Sequence, residues 1–199
     1  ANIKWLKDRG VNIWDSWADK DGYIGPTYAT QLRNWLHPKL NSKIIYSNYY
    51  QCDEIDQLTN LIEGLKSNPE SRRHIISLWN AGEYADLSKP YLPSCHSNHI
   101  QITIINKKYL HYQMLQRSSD FLLGFCPWQH ALFANIIGKL TGYEPKSMSI
   151  LLSNNHIYKN QFDAAKEIIK REPIDFPTLK INKELKETNL TPKTGIVEG

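Results

Sequence analysis

Apolar and polar positions change period several times along the chain, and the changes mark its elements. Residues 3–9 are helix-like. Asp53 can cap a helix in which Ile55, Leu58, Ile62 and Leu65 recur at helical spacing, and Asn68-Pro69 ends that run. Residues 74–79 read as a buried strand. Two β-rich runs, 97–105 and 109–115, flank Asn106, Lys107 and Lys108 and predict a hairpin. After Pro127 an apolar helical face of Leu132, Phe133, Ile136, Ile137 and Leu140 is closed by Gly142. Residues 147–152 predict another strand, and Phe162, Ala165, Ile168 and Ile169 a last amphipathic helix before Pro173. Residues 36–53 follow no strong period and predict a surface loop with a short strand at 44–46. The polar stretch 183–199 predicts an arm.

The hairpin has a chemical consequence, because its two ends must meet. Cys95 stands ahead of the first strand and Arg117 ends the second, so they are expected side by side. A fixed positive charge beside a cysteine favours the thiolate, the nucleophilic form. The same guanidinium can hold a phosphate by paired hydrogen bonds. Neighbouring Gln116 and Ser118 can add neutral hydrogen bonds to that anion, and His96 lies one residue beyond the sulfur. Arg72 and Arg73 adjoin on an extended segment, where neighbouring side chains point opposite ways. His156 and Tyr158, two apart, face one side and can both meet a sugar hydroxyl. Trp14 and Trp17 lie three apart, a spacing that predicts core packing for Trp17.

Composition narrows the class. A length of 199 residues suits one domain with a substantial core. The 41% hydrophobic and 22% charged fractions are those of an ordinary globular protein. No run of 18 apolar residues offers a membrane span, and Lys4, Lys7, Asp8 and Arg9 break up any signal-like start. Three cysteines without a CxxC spacing fit a reducing cytoplasm, with Cys52 and Cys126 expected as small buried hydrophobes. The net charge of +4 suits anionic small molecules, and no basic tract suggests DNA binding. The seven histidines form no zinc-spaced cluster, so no metal is expected.

The Pro93-Ser94-Cys95-His96 segment, followed by a strand pair and Gln116-Arg117-Ser118-Ser119-Asp120, resembles the active-site core of the thymidylate synthase family. Other motifs follow in that family's order: Asn12-Ile13-Trp14-Asp15-Ser16-Trp17-Ala18, Gly25-Pro26-Thr27-Tyr28, Ser71-Arg72-Arg73-His74 and His156-Ile157-Tyr158. The resemblance covers the chain to about residue 182. It implies a single catalytic α+β domain over 1–182, a mixed sheet with helices packed on one face, and a homodimer formed through the other face.

The resemblance also assigns roles. Cys95 would add to C6 of a pyrimidine deoxynucleotide, with Arg117 holding phosphate and favouring the thiolate. Arg72 and Arg73 would reach the phosphate in the other subunit's site, and His156 and Tyr158 would meet the sugar. Asp120 would orient the pterin of 5,10-methylenetetrahydrofolate, the expected co-substrate, in a pocket that includes Trp14 and Gly124. The implied reaction is reductive methylation of dUMP to dTMP. Where the family usually runs Pro-Phe-Asn, this chain has Phe125-Cys126-Pro127-Trp128-Gln129, so the base edge falls to Gln129, which keeps an amide, or to Trp128, which does not. The family's Gly-Gly-Asp is Ser153-Asn154-Asn155, a departure that resembles nucleotide hydroxymethylases of the same superfamily. An arginine loop and a water-organising glutamate that precede the position matching Ala1 in the family are expected either in a longer protein or not at all. The rival expectations are therefore a dUMP or dCMP hydroxymethylase, and a non-catalytic nucleotide- or RNA-binding relative.

Overall fold

The computed structural model describes residues 2–38, 52–84, 92–181 and 184–186. In chain order the elements are helix α1 (Lys4–Lys7), helix α2 (Tyr28–Arg33), strand β1 (Trp35–Pro38), strand β2 (Cys52–Ile55), helix α3 (Gln57–Ser67), strand β3 (Ile75–Ile76), helix α4 (Ala81–Tyr84), strand β4 (His99–Ile105), strand β5 (Tyr109–Asp120), helix α5 (Phe125–Thr141), strand β6 (Glu144–His156) and helix α6 (Phe162–Ile169). The expected strand at 44–46, the side chain of Cys52 and most of the arm 183–199 lie outside the described residues.

A mixed four-stranded sheet of order β3-β4-β5-β6 forms the frame. The pairs β3/β4 and β4/β5 are antiparallel, whereas β5 and β6 run parallel. Parallel neighbours need a long crossover, and α5 supplies it. The β4/β5 hairpin turns through Asn106 and Lys107, both left-handed at φ 55° and 53°, the geometry that matches strand twist in a tight hairpin. Asparagine tolerates that region readily, so the Asn-Lys pair explains where the two strands part.

Strict alternation then divides the hairpin into two faces. Ile100, Ile102, Ile104, Leu110, Tyr112 and Met114 are buried on one side, packed with Leu58, Leu61, Ile62 and Leu65 of α3 and Ala134 and Ile137 of α5. The helices that build this core thus cover a single face of the sheet. On the other face Ile105 is 43% and Leu151 67% exposed, an apolar surface without a covering layer among the described residues.

Several expected boundaries move. The cap of α3 is Asp56, whose carboxylate accepts the Thr59 N–H at 3.0 Å, and not Asp53, which together with Ile55 belongs to β2. The reason is long-range: β2 pairs with β1, which holds residues 52–55 extended and delays the helix. The strand expected over 74–79 is only Ile75–Ile76, and Ile75 is 41% exposed. Helix α5 begins two residues before Pro127, whose missing N–H is harmless in a first turn that has no intrahelical acceptors for its donors. Trp17 is 41% exposed and not a core residue, whereas Trp14 is half-buried. Cys126 is half-buried, not fully interior.

Candidate active site

The hairpin brings its ends together at the mouth of the sheet. Arg117 Nη2 lies 3.8 Å from Cys95 Sγ, and Arg117 Nε donates to the Ser94 carbonyl at 3.2 Å. The Arg117 backbone N–H donates to Asn98 Oδ1 at 3.0 Å, and the guanidinium sits 5.6 Å from the centre of the Trp79 ring. Three separate contacts therefore fix the direction of a side chain that would otherwise sample many rotamers. The Cys95 backbone is held at both ends, its N–H by the Tyr28 hydroxyl at 2.8 Å and its carbonyl by the Ser118 N–H at 3.2 Å.

A hollow of about 350 Å³ opens beside this pair, lined by Ser77, Trp79, Asn98, Leu115, Arg117 and Ser153. Arg117 joins the hollow to the sulfur. A cation, an indole face and several neutral hydrogen-bonding groups are what an anionic ligand with a flat ring requires.

Behind Cys95 lies a buried polar cluster. The His96 ring stacks on Tyr28 at 4.5 Å, and its Nδ1 is 2.9 Å from Ser97 Oγ and 2.9 Å from His130 Nε2. His130 Nδ1 is 2.6 Å from the Tyr112 hydroxyl. Burial pushes His96 down to about 4. Burial, helped by the neighbouring His96, pushes His130 down to about 3. Both rings are thus neutral near pH 7. Burial raises Tyr28 to about 12 and Tyr112 further, so both hydroxyls keep their protons. Burial also raises the Cys126 thiol, with Cys95 contributing in the same direction.

The remaining candidates fall in three places. Gln116 is 2% exposed and faces the core, opposite to Arg117, with its amide nitrogen donating to the Ser118 carbonyl at 3.0 Å and its Oε1 without a hydrogen-bond partner among the described residues. Asp120, His156 and Tyr158 form a second group. Asp120 is opposite His156 in the β5/β6 register, and its carboxylate accepts from the Leu122 N–H at 3.1 Å and from Gln161 Nε2 at 2.8 Å. The His156 and Tyr158 rings meet edge to face at 4.9 Å, on one side as their spacing requires. Gly124, left-handed at φ 58°, caps α5, and Gln129 and Trp128 are exposed on its first turns. Arg72 and Arg73 are exposed before β3 and make no ion pair among the described residues.

Sequence reasoning did not single out Tyr28, Ser94, Asn98 or His130 as site residues. Tyr28 had a signal in its Gly-Pro-Thr-Tyr motif. His130 had none, since an isolated histidine within an apolar helix carries no pattern.

Comparison with known proteins identifies the family. The thymidylate synthase family profile matches residues 1–194. Among solved structures the chain is similar to the thermostable thymidylate synthase A from Bacillus subtilis, with 33% identity, 92% of this chain covered and a TM-score of 0.72. The chain spans 61% of the length of that protein. With a family profile that runs over almost its whole length and a shared fold, this chain belongs to the thymidylate synthase family.

Proposed function

We propose that this chain carries the nucleotide-activating part of a folate-dependent one-carbon transfer to C5 of a pyrimidine deoxynucleotide, with dUMP converted to dTMP. The observation that carries the reading is the 3.8 Å approach of Arg117 to the Cys95 sulfur at the edge of a hollow that Arg117 also lines. The C5 carbon of a pyrimidine is a poor nucleophile. Addition of the Cys95 thiolate to C6 breaks the ring's conjugation and places the electron pair where C5 can attack an electrophilic carbon. Arg117 compensates negative charge on the sulfur and on the nucleotide phosphate. Once C5 has gained its substituent and lost its proton, expulsion of Cys95 restores the ring.

Folate, when bound, supplies the methylene carbon and the hydride that reduces it. The residues near Asp120 fit such a group: Phe121, Leu123, Phe125 and Trp128 are 55–65% exposed, an apolar surface beside a carboxylate able to meet a pterin edge. Asp120, Trp14 and Gly124 are the side chains and cap assigned to it. Gln161 holds the Asp120 carboxylate in one orientation while leaving lone pairs free. Arg72 and Arg73, exposed and without ion-pair partners among the described residues, suit a phosphate brought by a second copy of the chain. The apolar face of the sheet, uncovered among the described residues, suits the homodimer contact.

A second reading rests on Ser153 and its neighbours. A serine hydroxyl lines the hollow at a position the family usually gives to glycine, and Asn155 stands where the family has an acid. Both favour hydroxymethylation of dUMP or dCMP, in which water completes the reaction. Incubation with each nucleotide and methylenetetrahydrofolate separates the two: dihydrofolate absorbance rises only for the synthase. With 5-fluoro-dUMP and the folate, wild type gives a covalent adduct by mass and Cys95→Ser gives none. A wild-type protein that binds nucleotide without an adduct rejects both enzymatic readings in favour of a non-catalytic binding role.

A further inference from the structure

We propose that His130 is a positioning residue for Cys95, the clasp through which helix α5 holds the turn that presents the nucleophile; this rests on the reading of Cys95 given above. Ser97, two residues beyond the sulfur, is left-handed at φ 59°, a conformation that a non-glycine residue keeps only when its surroundings enforce it. The enforcing contacts are polar and lie on one side of the turn. Ser97 Oγ is 3.1 Å from His130 Nε2 and 2.9 Å from His96 Nδ1.

Proton counting gives the arrangement that satisfies every member. Tyr112 donates its hydroxyl to His130 Nδ1, which places the His130 proton on Nε2. That N–H donates into the turn, to His96 Nδ1 or Ser97 Oγ, and the Ser97 hydroxyl completes the ring of contacts at His96. His96, so oriented, stacks on Tyr28, and the Tyr28 hydroxyl receives the Cys95 N–H. The path from α5 to the sulfur is thus continuous: His130, His96, Tyr28, Cys95. An apolar side chain at 130 would leave the buried Tyr112 hydroxyl without its acceptor and would cut the link between α5 and the Ser97–His96 pair, which would keep only their contact with each other. The turn would then relax from its left-handed state and carry the sulfur away from Arg117.

The test follows alkylation of Cys95 by iodoacetamide, located by mass, with Cys126 of the same molecule as the reference thiol. His130→Ala is expected to slow Cys95 by about tenfold, since displacement by an ångström is enough for such losses, while Cys126 changes less than about twofold. His130→Gln combined with Tyr112→Phe restores an N–H near the position of Nε2 and removes the hydroxyl that would lack an acceptor, and it is expected to recover most of the rate. Should His130→Ala fail to fold, His130→Met combined with Tyr112→Phe supplies the apolar comparison. Equal Cys95 rates in wild type and the apolar variants, or a faster rate in the latter, overturn the proposal, as does a Gln/Phe variant no better than Met/Phe. The 5-fluoro-dUMP adduct in wild type is scored separately. Its absence with the alkylation pattern intact rejects the enzymatic reading and leaves the clasp standing; its presence with flat alkylation rates rejects the clasp alone.

Discussion

Acidification should unfold this protein through two neutral imidazoles, well before most carboxylates protonate. His96 and His130 are held down to about 4 and about 3, whereas an imidazole in an unfolded chain titrates near 6.5. Above pH 6.5 both states carry neutral rings and these groups do not affect stability. As pH falls below 6.5 the unfolded chain binds protons that the native cluster refuses, because burial penalises the charged form of both rings and His96 adds to that penalty at His130. Stability therefore falls, and keeps falling until the pH reaches the native values. Each refusing ring costs about 1.4 kcal/mol per pH unit, so from pH 6.5 to 5.0 one ring costs about 2 kcal/mol and both about 4. That is a large share of the usual 5–15 kcal/mol of a folded domain, by order of magnitude. Urea unfolding followed by tryptophan fluorescence, at one protein concentration and half-unit pH steps, reads the slope. The His130→Gln/Tyr112→Phe variant should lose about 1.4 kcal/mol per pH unit less than wild type over this window. Identical slopes for the two proteins would refute the reasoning.

Three further outcomes follow from particular contacts. In Gly138→Ala the added Cβ would stand 2.6 Å from the Tyr143 carbonyl oxygen and 2.8 Å from Pro145 Cγ, so the α5–β6 junction must shift; despite the better helix propensity of alanine, a loss of about 1–3 kcal/mol is expected in chemical denaturation. Asp56→Ala removes both the α3 cap and the 2.8 Å ion pair with Arg33, and should cost about 1–2 kcal/mol, whereas Asp56→Asn keeps a cap and costs less. Arg117→Lys retains charge but loses the Nε bond to the Ser94 carbonyl and the planar fork, so the 5-fluoro-dUMP adduct should form about tenfold or more slowly, with Arg117→Ala slower still by rapid-quench mass analysis.

The legible parts of this molecule are those fixed within a few residues. The hairpin was readable because two period-2 runs flank an asparagine able to turn left-handed, and from the hairpin alone the meeting of Cys95 and Arg117 follows. Helix α5 was readable from the helical spacing of its apolar residues and from Gly142, which adopts the left-handed cap at φ 81°, although Leu132 of the expected face is 43% exposed and the buried face includes His130 and Ala134. The start of α3 was not, since Asp53, Glu54 and Asp56 are all acids near the right place and the choice among them is made by pairing with β1, on the far side of residues 39–51. That residues 147–152 form a strand was readable, but its parallel pairing with β5 and its length from Glu144 to His156 depend on the crossover that α5 provides.

The same distinction explains the site. Gln116 and Arg117 are adjacent on a strand, so alternation already places them on opposite faces, and the structure puts the amide in the core and the guanidinium at the hollow. One face of β5 thus opens on the hollow, and the other meets the groups that hold that face in place. Tyr112 and Gln116 lie on that inner face, four residues apart, and His130 reaches the first of them from α5. A residue of this kind leaves no local trace, because its partners come from three separated segments and its own neighbours are ordinary helix residues. Its position becomes visible only when each buried donor is matched with an acceptor. The polar cluster behind Cys95 is thereby tied to the same rule that shapes the core around it: buried groups stay where all of their contacts can be made at once.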